Sequence, residues 1–196
     1  MRLLVAAMLA VSLFSAGAAL GASPGTRIVH FEPFDLSGRT GGIHIDRTLR
    51  GSCFAGSIGM PRPDAWRCTV GNEILDPCLQ APEGAAPLIC IAGAQAIRLK
   101  LTKALPLAMR NGKEHRFFAW RIVLRNGDVC DHFTGTAAGT IQGHDLVYGC
   151  RSGGTTTDPA RSHAVWTVWY LPKGTDPSKV KKLSSLKVAK VARAIG

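Results

Sequence analysis

The chain predicts a compact, disulfide-stabilised all-β protein, a small sandwich or barrel, with a loop-rich N-terminal part. Three observations carry this. Residues 97–102 and 118–125 alternate side chains with the period of two that a half-buried strand requires. Residues 164–171 are dense in β-branched and aromatic side chains and stop at Pro172. Six cysteines lie among turn residues, an even number as a disulfide framework needs. At 196 residues, 46% apolar and 19% charged, the chain can bury a sizeable core in one domain or two small ones. Disorder, collagen and coiled coil are excluded by composition.

Met1-Arg2 precedes an apolar run from Leu3 to Phe14 and a small-residue stretch ending near Ala22. That order is the one of a secretory signal peptide over 1–22, cut near residues 18–23. The apolar run approaches the length of a membrane anchor, but its Ala, Gly and Ser content makes a weak one. No second stretch of spanning length follows, so a secreted or periplasmic protein is expected.

Residues 23–50 read as an extended lead-in, with Ile28-Val29-His30-Phe31 and Ile43-His44-Ile45 as short strand candidates. Residues 51–95 read as a disulfide-rich subdomain and 96–196 as a β-sheet region with a basic tail. Six cysteines allow fifteen pairings. The local set Cys53–Cys68, Cys78–Cys90 and Cys130–Cys150 is favoured, because each encloses a short segment that a hairpin can close. Zinc is disfavoured by the lack of any C-x-x-C or Cys-His cluster, and no cofactor is expected.

In the sheet region, Phe118, Trp120, Ile122 and Leu124 share one face, and Asn126-Gly127 suits a type I′ hairpin turn. Residues 146–150 read as another strand. The strand at 164–171 is apolar on both faces and therefore central, with Trp166 and Trp169 facing opposite sides. The tail reads as a helix, with Val180, Leu183, Val188, Val191 and Ile195 on one face, or as a strand over its last residues. Pro177 and Ser184-Ser185 interrupt a helix and favour the strand. A faint echo links Cys53-Phe54-Ala55-Gly56-Ser57 before Trp66-Arg67-Cys68 with Cys130 and Phe133-Thr134-Gly135-Thr136 before Tyr148-Gly149-Cys150.

The stretch Gly51-Ser52-Cys53, with Asp64-Ala65-Trp66-Arg67-Cys68, Gly71-Asn72 and Asp76-Pro77-Cys78, resembles a pattern found in uncharacterised secreted proteins of bacteria. About 30 residues carry it, and the segment from Cys130 to Cys150 with Trp166 looks like the companion half. The resemblance implies an exported, disulfide-bonded protein and assigns no catalytic or binding residue.

The net charge of +11 is unevenly spread. Residues 98–125 hold eight basic side chains against Glu114, and residues 173–196 hold seven against Asp176, whereas the blocks 23–97 and 126–172 are slightly acidic. If the two segments adjoin they form one basic patch for an anionic glycan, a lipid headgroup or an acidic protein. The candidate binding residues are Lys100, Arg121, Lys181, Lys182, Lys187 and Lys190, with Trp169 as an exposed aromatic. Export and the lack of a binding motif disfavour nucleic acid. No catalytic motif such as G-x-S-x-G or H-E-x-x-H is present, and oxidised cysteines leave no thiol nucleophile. Non-enzymatic binding at the cell envelope is the expected role. The alternatives are a hydrolase of an envelope polymer, using Asp131, His132, His144 and Asp145, or an inhibitor of a secreted enzyme.

Overall fold

The computed structural model describes residues 25–82, 87–106 and 117–195. The leader read at 1–22 lies outside them, as do Arg110, Lys113, Glu114 and Arg116 of the first basic segment. Among the described residues thirteen strands form: β1 (Arg27–Val29), β2 (Arg47–Gly56), β3 (Ala65–Val70), β4 (Glu73–Leu79), β5 (Leu88–Ala92), β6 (Gln95–Leu101), β7 (Arg121–Leu124), β8 (Val129–His132), β9 (Thr140–Ile141), β10 (His144–Cys150), β11 (Thr155–Thr157), β12 (Thr167–Leu171) and β13 (Lys187–Ile195). No helix among the described residues is long and apolar enough to cross a membrane.

Strands β2 to β6 meander, each antiparallel to the next, and β6 closes on β2 to make a barrel. Five strands that reverse at every turn leave the first and last running the same way. Closure is therefore parallel, with residues 47–51 beside 97–101. Inward-facing Trp66, Leu75, Leu88, Ile97 and Leu99 fill the interior, each such side chain contributing roughly 1.5–3 kcal/mol on burial. Gly51 is required sterically. A Cβ there would lie 2.2 Å from the Thr69 carbonyl oxygen.

The second barrel has six strands. The pairing runs β7–β8–β10–β11–β12–β13, and β13 returns to β7 to complete the ring. Along one edge β13 pairs with β12 through residues 187–190 and then, in parallel, with β1 through 193–195. A register shift between Val191 and Arg193 accompanies its pairing with β7. Ile122, Leu124, Tyr148, Trp166, Val168 and Val191 pack inside, and the buried Tyr148 hydroxyl donates to the Ala119 carbonyl oxygen at 2.5 Å. Between the barrels, Met60, Leu79, Ile89, Ile91 and Trp120 form a third apolar layer with Phe31, Phe34, Ile43 and Ile45 of the lead-in.

All three favoured disulfides are present, and each joins residues directly opposite one another in an antiparallel ladder. Three disulfides fit an extracellular or periplasmic protein. Other expectations change in detail. Residues 96–101, read as the start of the C-terminal sheet region, close the first barrel instead. Residues 43–45 make no strand; Ile43 and Ile45 serve the inter-barrel layer. The turn after β7 is not type I′. The Gly127 amide bonds to the Leu124 carbonyl, and Gly127, not Asn126, takes the positive φ, 86°. This is a type I turn closed by a left-handed glycine. In the tail, 3₁₀ turns at Pro177–Lys179 and Leu183–Ser185 precede β13, so the strand reading holds for 187–195. Val180, Leu183 and Leu186 pack on Ile141, Leu146 and Leu171.

Candidate functional site

The two basic segments adjoin through strand pairing, because β7 belongs to the first and β13 to the second. Where β7, β10 and β12 end and β8, β11 and β13 begin, the mouth of the six-stranded barrel forms a bowl of about 600 Å³. Its lining includes Arg125, Asp128, Ser152, Tyr170, Lys187 and Lys190. Barrel mouths are recurrent ligand sites, and the volume falls in the roughly 300–1,000 Å³ range of such clefts.

Local chain geometry fixes the polar groups of this bowl. The Asn126 side-chain oxygen Oδ1 accepts from the Asp128 backbone amide at 3.1 Å, shaping the β7–β8 turn. Asp128 then accepts from the Ser152 hydroxyl at 2.5 Å and from the Ser152 amide at 3.3 Å. With its proton directed to Asp128, Ser152 Oγ accepts from the Tyr170 hydroxyl at 2.8 Å. The Tyr170 ring lies over Gly154, where a Cβ would come within 2.4 Å of the phenolic oxygen. Lys187 stands directly opposite Tyr170 across the β12–β13 ladder. The ion pairs among the described residues leave Lys187 and Lys190 without an acidic partner. Lys187, a phenol and a hydroxyl–carboxylate relay thus share one rim, and Lys190, three residues along β13 and so on its other face, flanks it.

A second, smaller cavity of about 140 Å³ lies between the barrels and is lined by Asp76, Trp120, Arg121, Asp131, His132 and Thr134 among others. The Asp76 side chain is fully buried. It accepts from the Ser57 hydroxyl and from the amides of Ile58 (3.1 Å) and Gly59 (3.4 Å), fixing the loop after β2. Burial pushes its pKa up and these hydrogen bonds oppose the rise. The His132 ring meets Phe118 and Tyr148 edge-on at 4.8 and 5.1 Å, and burial lowers its pKa.

The predicted residues separate into groups. Lys187 and Lys190 reach the mouth. Lys181 and Lys182 lie on the excursion before β13, where the Lys181 carbonyl accepts from Gln142, and they do not line it. Lys100 is exposed on the outer face of the first barrel. Arg121 is a correction. Alternation puts it on an outer face, but the first barrel covers that face. Its guanidinium is held by Asp131 at 2.5 Å, stacks on Trp120 at 4.5 Å and donates to the Gly93 carbonyl. Arg121 clamps the barrels together and is not an open cation. Trp169 is half-buried opposite Val188, while Trp166 is core, so the two tryptophans do face opposite sides.

The catalytic candidates do not converge. Asp131 turns to Arg121 while His132 enters the aromatic cluster. His144 lies four residues along β10 from Tyr148, the direct partner of His132, which is about 13 Å at strand rise. Asp145 accepts from Thr140 on the same exposed β9–β10 hairpin. Sequence reasoning missed Asp128, Ser152 and the buried Asp76 with Ser57. For Asp76 the available signal was an acidic residue inside the cysteine-bearing apolar stretch Ile74-Leu75-Asp76-Pro77-Cys78. No family model matches this chain, and no curated protein or solved structure matches it either.

Proposed function

We propose that this chain is a non-enzymatic binding protein of the cell envelope or its exterior, and that its ligand is an anionic glycan held at the mouth of the six-stranded barrel. The observation that carries the reading is the β7–β13 pairing, which sets Arg125 from one basic segment beside Lys187 and Lys190 from the other. The ammonium groups answer carboxylate or sulfate charge, and the Tyr170–Ser152–Asp128 relay answers sugar hydroxyls. A concave, hydroxyl-rich rim favours a sugar over a lipid headgroup or the flat surface of an acidic protein. The disulfides and the apolar leader support the location.

Titration of the leader-free protein with oligogalacturonate tests this at low and high salt. Binding is expected to weaken with salt, and Lys187→Glu/Lys190→Glu to weaken it about tenfold or more, a change of at least about 1.4 kcal/mol. Lys181→Glu/Lys182→Glu, away from the mouth, is expected to change it less than about twofold. Binding that ignores both salt and the Lys187/Lys190 reversal refutes the proposal.

A further inference from the structure

The parallel seam that closes the first barrel carries a charge arrangement that the mouth does not explain. Arg50 of β2 and Lys100 of β6 are direct partners in the ladder, and both are exposed. Their sequence neighbours Gly51 and Leu99 are buried, so the two cations stand on the outer face. Arg98 shares that face opposite Thr48, and its Nε is buried without a hydrogen-bond partner. Lys103 follows just beyond β6 and is exposed. Glu73, at the start of β4, is taken by Arg47 of β2 at 3.3 Å. None of Arg50, Arg98, Lys100 and Lys103 enters an ion pair among the described residues.

Like charges directly opposite in a sheet destabilise it, and a buried N–H without an acceptor adds to that cost. Such local conflicts are retained where a ligand relieves them. We propose that the β2–β6 seam is a second anion-binding surface, occupied by a further stretch of the same linear anionic glycan that enters the barrel mouth. This rests on the function proposed above. The seam is an exposed ladder on a barrel's outer face, suited to an extended polymer segment whose acidic groups meet Arg50 and Lys100. Two contacts from one chain raise apparent affinity for a long polymer and do nothing for an oligomer that spans one site.

The test compares a galacturonate trimer with long-chain polygalacturonate on wild-type protein, Arg50→Gln/Lys100→Gln and Lys187→Glu/Lys190→Glu. The seam variant is expected to bind the trimer within about twofold of wild type and the polymer about tenfold more weakly. The mouth variant loses the trimer. A seam variant that keeps full polymer affinity overturns the second site and leaves the mouth reading intact. A mouth variant that binds both probes normally, beside a seam variant that loses the polymer, refutes the mouth reading and keeps the seam. Ligand-free Arg50→Gln/Lys100→Gln is also expected to unfold at a denaturant midpoint no lower than wild type; a lower midpoint refutes the charge-conflict argument.

Discussion

Replacing Gly51 by alanine puts a methyl carbon 2.2 Å from the Thr69 carbonyl oxygen, 2.9 Å from Val70 Cγ2 and 3.1 Å from Leu99 Cδ1. Ordinary contact starts near 3.4 Å, so β2 and β3 must part locally by about 1.2 Å, a quarter of a normal strand spacing of about 4.8 Å. The nearest atom is backbone and cannot rotate away. Parting the strands weakens the Ser52–Thr69 pairing, including the Thr69 hydroxyl bond to the Ser52 carbonyl. One or two hydrogen bonds at about 1 kcal/mol each, added to an overpacking cost of about 1–3 kcal/mol, give a loss of about 2–5 kcal/mol. In a chain of this length that lowers the melting temperature by about 5–15 °C. Thermal and urea unfolding of the oxidised protein, followed by tryptophan fluorescence, measures it. Gly71→Ala is the control: its Cβ meets nothing within 4 Å, but φ is +58°. The cost there is about 1 kcal/mol and Gly71→Asn recovers part of it, because asparagine tolerates left-handed backbone. Gly51→Ala within about 0.5 kcal/mol of wild type would refute the steric argument.

Two further outcomes follow from buried polar groups. Tyr148→Phe strands the Ala119 carbonyl oxygen inside the second barrel, and a loss of about 1–2 kcal/mol in urea unfolding is expected; a neutral result would mean that another donor reaches Ala119. His132 has a folded pKa below its ordinary 6.5. The unfolded chain then binds the extra proton first, so its contribution is complete above pH 6.5 and is lost progressively as pH falls toward the folded value. Asp76 has the opposite sign: its raised pKa makes the ionised form costly, so stability is regained as pH falls through its folded value toward 3.8. Urea midpoints between pH 7 and pH 5 should drop less in His132→Phe than in wild type, and parallel profiles would refute the assignment.

Of the first barrel, the two disulfides and β6 were legible because their signals are local, whereas β3, β4 and β5 fall in the stretch read as loop-rich. Cys53 and Cys68, or Cys78 and Cys90, lie within one hairpin's reach of each other, and the alternation at 97–102 marked β6 before its partner was known. The partner itself, β2, is about fifty residues back, and no local pattern encodes a parallel closure over that distance. The same limit governs the site. Asp128, Ser152 and Tyr170 come from three separate places in the chain and meet only when the barrel closes. Arg121 looked exposed because alternation reports which face a side chain takes, not what covers that face. Asn126-Gly127 marked the right turn and the wrong type, since Gly127 alone supplies the left-handed residue.

Strand β13 comes last of the thirteen and touches β12, β7 and β1. A chain that collapses from its N-terminal side can complete the five-stranded barrel and its two disulfides early. Until β13 arrives, β1, β7 and β12 all lack their β13 partners and the six-stranded barrel stays open. That wait exposes pairing edges of the kind that recruit other chains. A peptide copied from residues 187–195 would compete for the vacant slot during refolding. The aggregation hazard of this molecule is thereby concentrated in the interval before its final strand docks.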